Sequence, residues 1–166
     1  MTADRAKVRV VFDCMVFLQG AARRENPAGT CLLLVELEAI ELCISEEIVS
    51  EVRDVLTRSR VRQRFPALTD ALMERFLEAL CKRALTVLEV PRIFSYERDP
   101  KDEPYINLAI AAEASYLVSR DSDILNLANP NNPDGTRLRS HAPRLQILDP
   151  VSFLAEMRRK IEAPGP

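Results

Sequence analysis

This chain has a single histidine, His141, and none of its cysteines stand at C-x-x-C spacing. A Ser/His/Asp or Cys/His set therefore has one imidazole to draw on, in a stretch that reads as a loop, and zinc has no ligand pattern to bind. The four cysteines, Cys14, Cys31, Cys43 and Cys81, lie far apart among apolar neighbours. That predicts buried free thiols in a reducing compartment. No apolar run approaches the roughly 18 residues a membrane span needs, and no signal-like leader opens the chain, so a cytoplasmic protein without membrane contact is expected. Bulk charge is lacking too: the formal net charge is -2. Any surface for a polyanion must then be local.

What is present fits one domain. The 166 residues are 47% hydrophobic and 29% charged, enough for a single core spanning about residues 8–154 of the 1–166 chain. After a polar lead-in from Met1 to Lys7, Val8 to Phe12 reads as a buried strand that ends on Asp13. An acid there is either a ligand-binding group at the carboxyl end of a parallel strand or a cap of the next helix. Gly20 to Gly29 reads as a loop, Thr30 to Ile40 as a helix capped by Thr30, and Leu42 to Ile44 as a strand. Ser45 caps a helix with Glu46 and Glu47 in its first turn and Ile48, Val49, Val52, Val55 and Leu56 as its buried stripe. Glu51 falls on the flank of that stripe, as surface glutamates commonly do.

From Val52 to Phe65 the chain carries Arg53, Arg58, Arg60, Arg62 and Arg64 against one acid, Asp54. Guanidinium forks suit phosphate oxygens, although a solvated face or a dock for an acidic partner fits the same pattern. Thr69 caps a helix to about Lys82 with Leu72, Phe76 and Leu80 on one face, and Leu85 to Leu88 reads as a third strand.

The densest signal runs from Arg98 to Leu125, RDPKDEPYINLAIAAEASYLVSRDSDIL. An acidic turn (Asp99, Asp102, Glu103) leads into a helix over Tyr105 to Ala114, a strand over Tyr116 to Val118, and then Asp121-Ser122-Asp123. A helix and the strand returning from it can bring both acidic ends to one sheet edge, where the carboxylates need a proton or a divalent cation between them. Asn126 to Pro143 reads as a long loop carrying Arg137 and Arg139, with Arg144 beyond it. Leu145 to Leu148 is the last strand, and Asp149-Pro150 starts a final helix. With no internal repeat or low-complexity segment, alternating strands and helices predict an α/β domain with a mainly parallel sheet.

Strand VVFD at Val10 to Asp13, SEEIVSEVRDVL with Glu51, the stretch from Asp99 to Leu125 and the closing LQILDPVSFL together resemble a PIN domain, closest to toxin components of toxin–antitoxin systems. The resemblance covers about Val8 to Leu154. It implies a three-layer α/β/α sandwich whose acids bind Mg²⁺ or Mn²⁺ and cleave RNA, acting as a homodimer restrained by a small antitoxin protein. Carried over residue by residue, the catalytic acids fall on Asp13, Glu51, Glu103 and Asp121. Asp13, Glu103 with Asp102 as the competing choice, Asp121 and Asp123 would hold the metal. Arg53 to Arg64, with Arg137 and Arg139, would hold the RNA substrate. The chain departs from the family pattern directly after Asp13, where Cys14-Met15 replaces a polar pair. That departure supports a second expectation, a non-catalytic PIN-like module binding RNA or protein. A phosphate-ester hydrolase using Asp13 as nucleophile is the third, though the second acid such enzymes place after strand one is missing.

Overall fold

The computed structural model describes residues 6–163. The polar lead-in therefore lies outside the described residues up to position 5. Hydrophobic runs of three or four residues form β1 (Arg9–Phe12), β2 (Glu41–Ile44), β4 (Tyr116–Val118) and β5 (Gln146–Leu148), and β3 (Leu85–Thr86) is shorter still. All pairings are parallel, in the order β3-β2-β1-β4-β5. The four expected residues of β3 shrink to two because it is an edge strand, and Leu88 beyond it is 77% exposed. Helices cover both faces, giving the three-layer α/β/α sandwich. Val10, Val11 and Phe12 of β1 and all of β4 are buried, so the two central strands carry the core between the helical layers.

The helices on the β1–β2 side are α1 (Cys14–Ala22), α2 (Pro27–Glu36) and α3 (Glu46–Thr57), followed by α4 (Ser59–Arg64) and α5 (Asp70–Arg83). The sequence places a loop to Gly29 and a Thr30 cap here; instead, α1 runs to Ala22 and α2 starts at Pro27. Asn26 accepts from Gly29 N at 2.8 Å and Pro27 takes the first helical position, where its missing N–H costs nothing. Gly29 inside the helix is forced by closeness, since a Cβ would meet Arg24 O at 2.4 Å. Ser45 and Thr69 cap α3 and α5 as expected, bonding Ile48 N at 3.2 Å and Leu72 N at 3.3 Å. The buried face of α5 is Met73, Leu77 and Leu80, turned from the expected Leu72, Phe76 and Leu80; Leu72 is 48% exposed. Cys31 and Cys43 are buried and Cys14 is half-buried, but Cys81 is exposed on α5, against the expectation for it.

After β3, a 3-10 turn (Pro100–Asp102) leads into α6 (Glu103–Ala111), two residues earlier than Tyr105 because Pro104 is tolerated in a first turn. After β4 come α7 (Ser122–Leu125), α8 (Pro133–His141) and α9 (Pro150–Glu162). The long loop expected over Asn126 to Pro143 is thus mostly helix. Asn132 accepts from Asp134 N at 2.9 Å and Gly135 N at 3.1 Å, and Pro133 sits at the first position, repeating the Asn26-Pro27 device. No helix among the described residues is long and apolar enough to cross a membrane.

From β1 the chain moves to β2 on one side and later returns to β4 on the other. The carboxyl ends of β1 and β4 therefore flank the switch point, the crevice where open α/β sheets take their ligands.

Candidate active site

Asp13 follows β1 and is 4% exposed. Its backbone N–H extends the ladder to Val118 O at 3.0 Å, and its Oδ1 accepts from Val16 N at 3.1 Å. Asp13 is thus a helix cap that also stands at the carboxyl end of a parallel strand. Its other oxygen, Oδ2, accepts from the Ser119 hydroxyl, which is fully buried. The same Ser119 oxygen accepts from Asp121 N at 2.9 Å, so its single proton is left for Asp13. One serine thereby locks the ends of β1 and β4 together. Burial pushes the Asp13 carboxyl up, opposed by the bonds from Ser119 and Val16.

Asp121 caps α7 by accepting from Asp123 N at 2.7 Å. Asp123 accepts from Arg98 Nε at 2.7 Å. Carboxylate oxygens of Asp99, Asp121 and Asp123 lie within 4.8 Å of one another. Asp99 belongs to the acidic turn but carries no role in the sequence reading. It arrives here because the segment before it is pinned across α6: Asn107 Oδ1 accepts from Ile93 N at 3.0 Å and Phe94 N at 2.8 Å, and Tyr96 OH donates to Asp123 O at 2.8 Å.

The two acids competing for the third position are treated differently. Glu103 accepts from Tyr96 N at 2.8 Å and so anchors that same segment. Asp102 is 7% exposed, and its Oδ2 is buried without a hydrogen-bond partner among the described residues. Burial pushes its carboxyl up to about 7, with Asp121, Asp99, Asp13 and Asp123 adding to the shift through their charges. That orphaned oxygen, under the charges of four further aspartates, is free to serve as a cation ligand. The donors are all hard oxygens, which suits Mg²⁺ or Mn²⁺ and not zinc.

Glu51 stands on α3 and accepts from the buried Tyr105 hydroxyl at 2.9 Å. The Cys14 thiol lies beside the same hydroxyl; burial, then Glu51 and Asp13, push it up to about 12, so it is no nucleophile.

The expected RNA-binding arginines divide. Arg53 pairs with Glu74 at 3.1 Å and Arg58 with Asp54 at 2.9 Å, both in solvent. Arg62 bonds Asp70 and the Leu56 carbonyl, tying α4 to its neighbours. Arg60 makes no ion pair among the described residues, and Arg64 stacks over Phe65 at 5.6 Å. Arg58 is the member whose charge reaches Cys14, beside Glu51. Arg137 and Arg139 are structural: Arg137 donates to Ser95 O at 2.6 Å and lies 4.0 Å over Phe94, and Arg139 donates to Leu127 O at 3.2 Å. They hold α8 in place where the sequence reads as a long loop.

The sequence misses Ser119, Tyr105 and Asp99. Only Ser119 leaves a local trace, a small hydroxyl two residues before a strand-end acid; the other two are brought in by packing of distant segments. No curated protein and no solved structure matches the chain significantly. A family model described as PIN domain matches residues 9–123, from the first residue of β1 to the last acid of the cluster. That match covers well over half of the chain, which belongs to the PIN domain family, whose members are generally nucleases that use a divalent metal.

Proposed function

We propose that this PIN domain is a Mg²⁺- or Mn²⁺-dependent endoribonuclease. The observation that carries the reading is the buried, unpartnered Oδ2 of Asp102 facing the charges of Asp13, Asp99, Asp121 and Asp123 at the switch point. Asp13, Asp102 and Asp121 would hold the metal, beside Asp99 and Asp123, whose oxygens gather within 4.8 Å of that of Asp121; Asp102 takes the third position because Glu103 is engaged by Tyr96. Bound there, the ion supplies an activated water and a counter-charge for the scissile phosphate. Glu51 would orient the attacking water and take its proton, and the leaving ribose oxygen would take a proton from solvent. Arg58, Arg60 and Arg64 hold the flanking phosphates. The ion pairs of Arg53 and Arg58 are exposed, worth about 0–1 kcal/mol, so phosphate can exchange into them.

The resemblance in the acidic stretch supports the finer assignment: a cytoplasmic toxin component, homodimeric and silenced by a small antitoxin protein. Light scattering, and co-purification with the product of an adjacent small gene, check both. Purified protein with Mn²⁺ is expected to cut RNA, and Asp13→Asn to abolish cutting; a mutant as active as the parent moves the site elsewhere. Cys14-Met15 favours a second reading, a non-catalytic binding module, which predicts no Mn²⁺ heat in calorimetry. The phosphate-ester hydrolase lacks the second acid such enzymes place after strand one, where Cys14-Met15 follows Asp13.

A further inference from the structure

We infer that Tyr105 is a positioning residue that aims Glu51 at the site, an inference that rests on the nuclease reading above. Glu51 differs from the other acids. Asp13 and Asp121 are held at strand ends by backbone N–H groups, whereas Glu51 projects from the middle of α3 and, among the described residues, accepts a side-chain hydrogen bond from Tyr105 alone. A free glutamate side chain spreads over many rotamers, and ordering it costs about 1.5–2 kcal/mol of entropy. Something rigid must hold it if it is to point at one water.

Tyr105 has that rigidity. Its ring is 2% exposed, and it stands on α6, which packs against α3 and β1. The hydroxyl sits at the tip of a side chain with no room to move, 2.9 Å from Glu51 Oε2 across 54 residues of sequence. A phenol has one proton to donate. In the fold that proton goes to Glu51. The Cys14 thiol lies near the same hydroxyl, one residue after Asp13. This is where the family pattern calls for a polar pair and the sequence has Cys14-Met15. The orientation that a polar pair after β1 would give is thus supplied from α6. A buried tyrosine merely satisfying its hydroxyl would show the same bond, so the two roles must be separated by function.

The test compares the parent with Tyr105→Phe, Glu51→Ala and the double variant. Tyr105→Phe removes one oxygen and keeps the ring, and Glu51 is half-buried, so both variants should fold. In RNA cleavage with Mn²⁺, Tyr105→Phe is expected to lower kcat about tenfold with KM nearly unchanged. Glu51→Ala should lower it further, and the double variant should be no slower than Glu51→Ala alone, because Tyr105 acts through Glu51. In the metal-free proteins, urea unfolding should show the same non-additivity, which reports the hydrogen bond independently of activity. Tyr105→Phe cleaving at the parental rate, losses in kcat that multiply, or unfolding effects that simply add would each overturn the inference. A parent that does not cleave with Mn²⁺ is a different result: it removes the nuclease reading, and this inference with it.

Discussion

The floor of the site and the arginine strip are built from equally charged residues and behave in opposite ways. On the floor, Asp13 is 4% and Asp102 7% exposed, and the geometry is dictated by strand ends and by Ser119. On the strip, Arg53 and Arg58 rest in solvent against Glu74 and Asp54. Water screens the strip's pairs to about 0–1 kcal/mol. A buried carboxylate without a partner costs far more, so it must be protonated or hold a cation. Burial, not charge count, separates a site from a surface here.

The sharpest way to break that comparison is to exchange the neighbouring acids Asp102 and Glu103. Asp102→Asn is expected to remove Mn²⁺ binding and cleavage by more than the roughly 100-fold that losing a supporting residue can cost. Glu103→Gln keeps an oxygen for Tyr96 N and should leave Mn²⁺ affinity intact, with stability within about 1 kcal/mol of the parent. Calorimetry on both variants decides, and normal Mn²⁺ heat in Asp102→Asn would mean that burial does not mark the ligand.

A smaller effect follows from the same carboxyl in the metal-free protein. Asp102 is pushed up to about 7 in the fold from 3.8, so between those values the native state holds a proton that the unfolded chain has released. The contribution of this group to stability should be fully present below pH 3.8 and fall as pH rises toward 7, by at most about 1.4 kcal/mol per pH unit for one proton. Urea unfolding with a chelator measures this, and both Asp102→Asn and saturating Mn²⁺ should flatten it.

The smallest effect belongs to the strip. Replacing Arg60 and Arg64 with Gln should weaken RNA binding evenly across sequences. It should also reduce the salt slope of log K by about 0.7 for each phosphate no longer neutralised on a single strand. Arg62 is a poor choice for that test, since its bond to the Leu56 carbonyl makes its loss a folding defect. An unchanged slope would make the strip a solvated face or a docking surface.

Much of the fold is legible in the sequence because its signals are local. Ser45, Thr69 and Asp149 cap the helices that their positions predict, and four of the five strands lie within a residue of where short apolar runs put them. The misreadings at Asn26-Pro27 and Asn132-Pro133 have one source. Pro and Asn read as breakers there, although the same pair can be a cap followed by a preset first turn, as at Asp149-Pro150. The face of α5 is illegible for another reason: apolar residues surround its boundary, and only the neighbour it packs on selects the buried ones.

By itself the sequence determined the parallel α/β order, the acids at the ends of β1 and β4, and Glu51 one turn into α3, since caps and periodicity are properties of adjacent residues. Only the tertiary structure left Asp102 buried without a partner while engaging Glu103 with Tyr96, brought Asp99 to the cluster, locked Asp13 to Asp121 through Ser119 and set Tyr105 against Glu51. Adjacent residues on one turn point in directions that differ by a rotation, and which of them meets a backbone N–H and which meets other acids is settled by the segments that pack around the turn, Tyr96 on one side and the acids after β1 and β4 on the other.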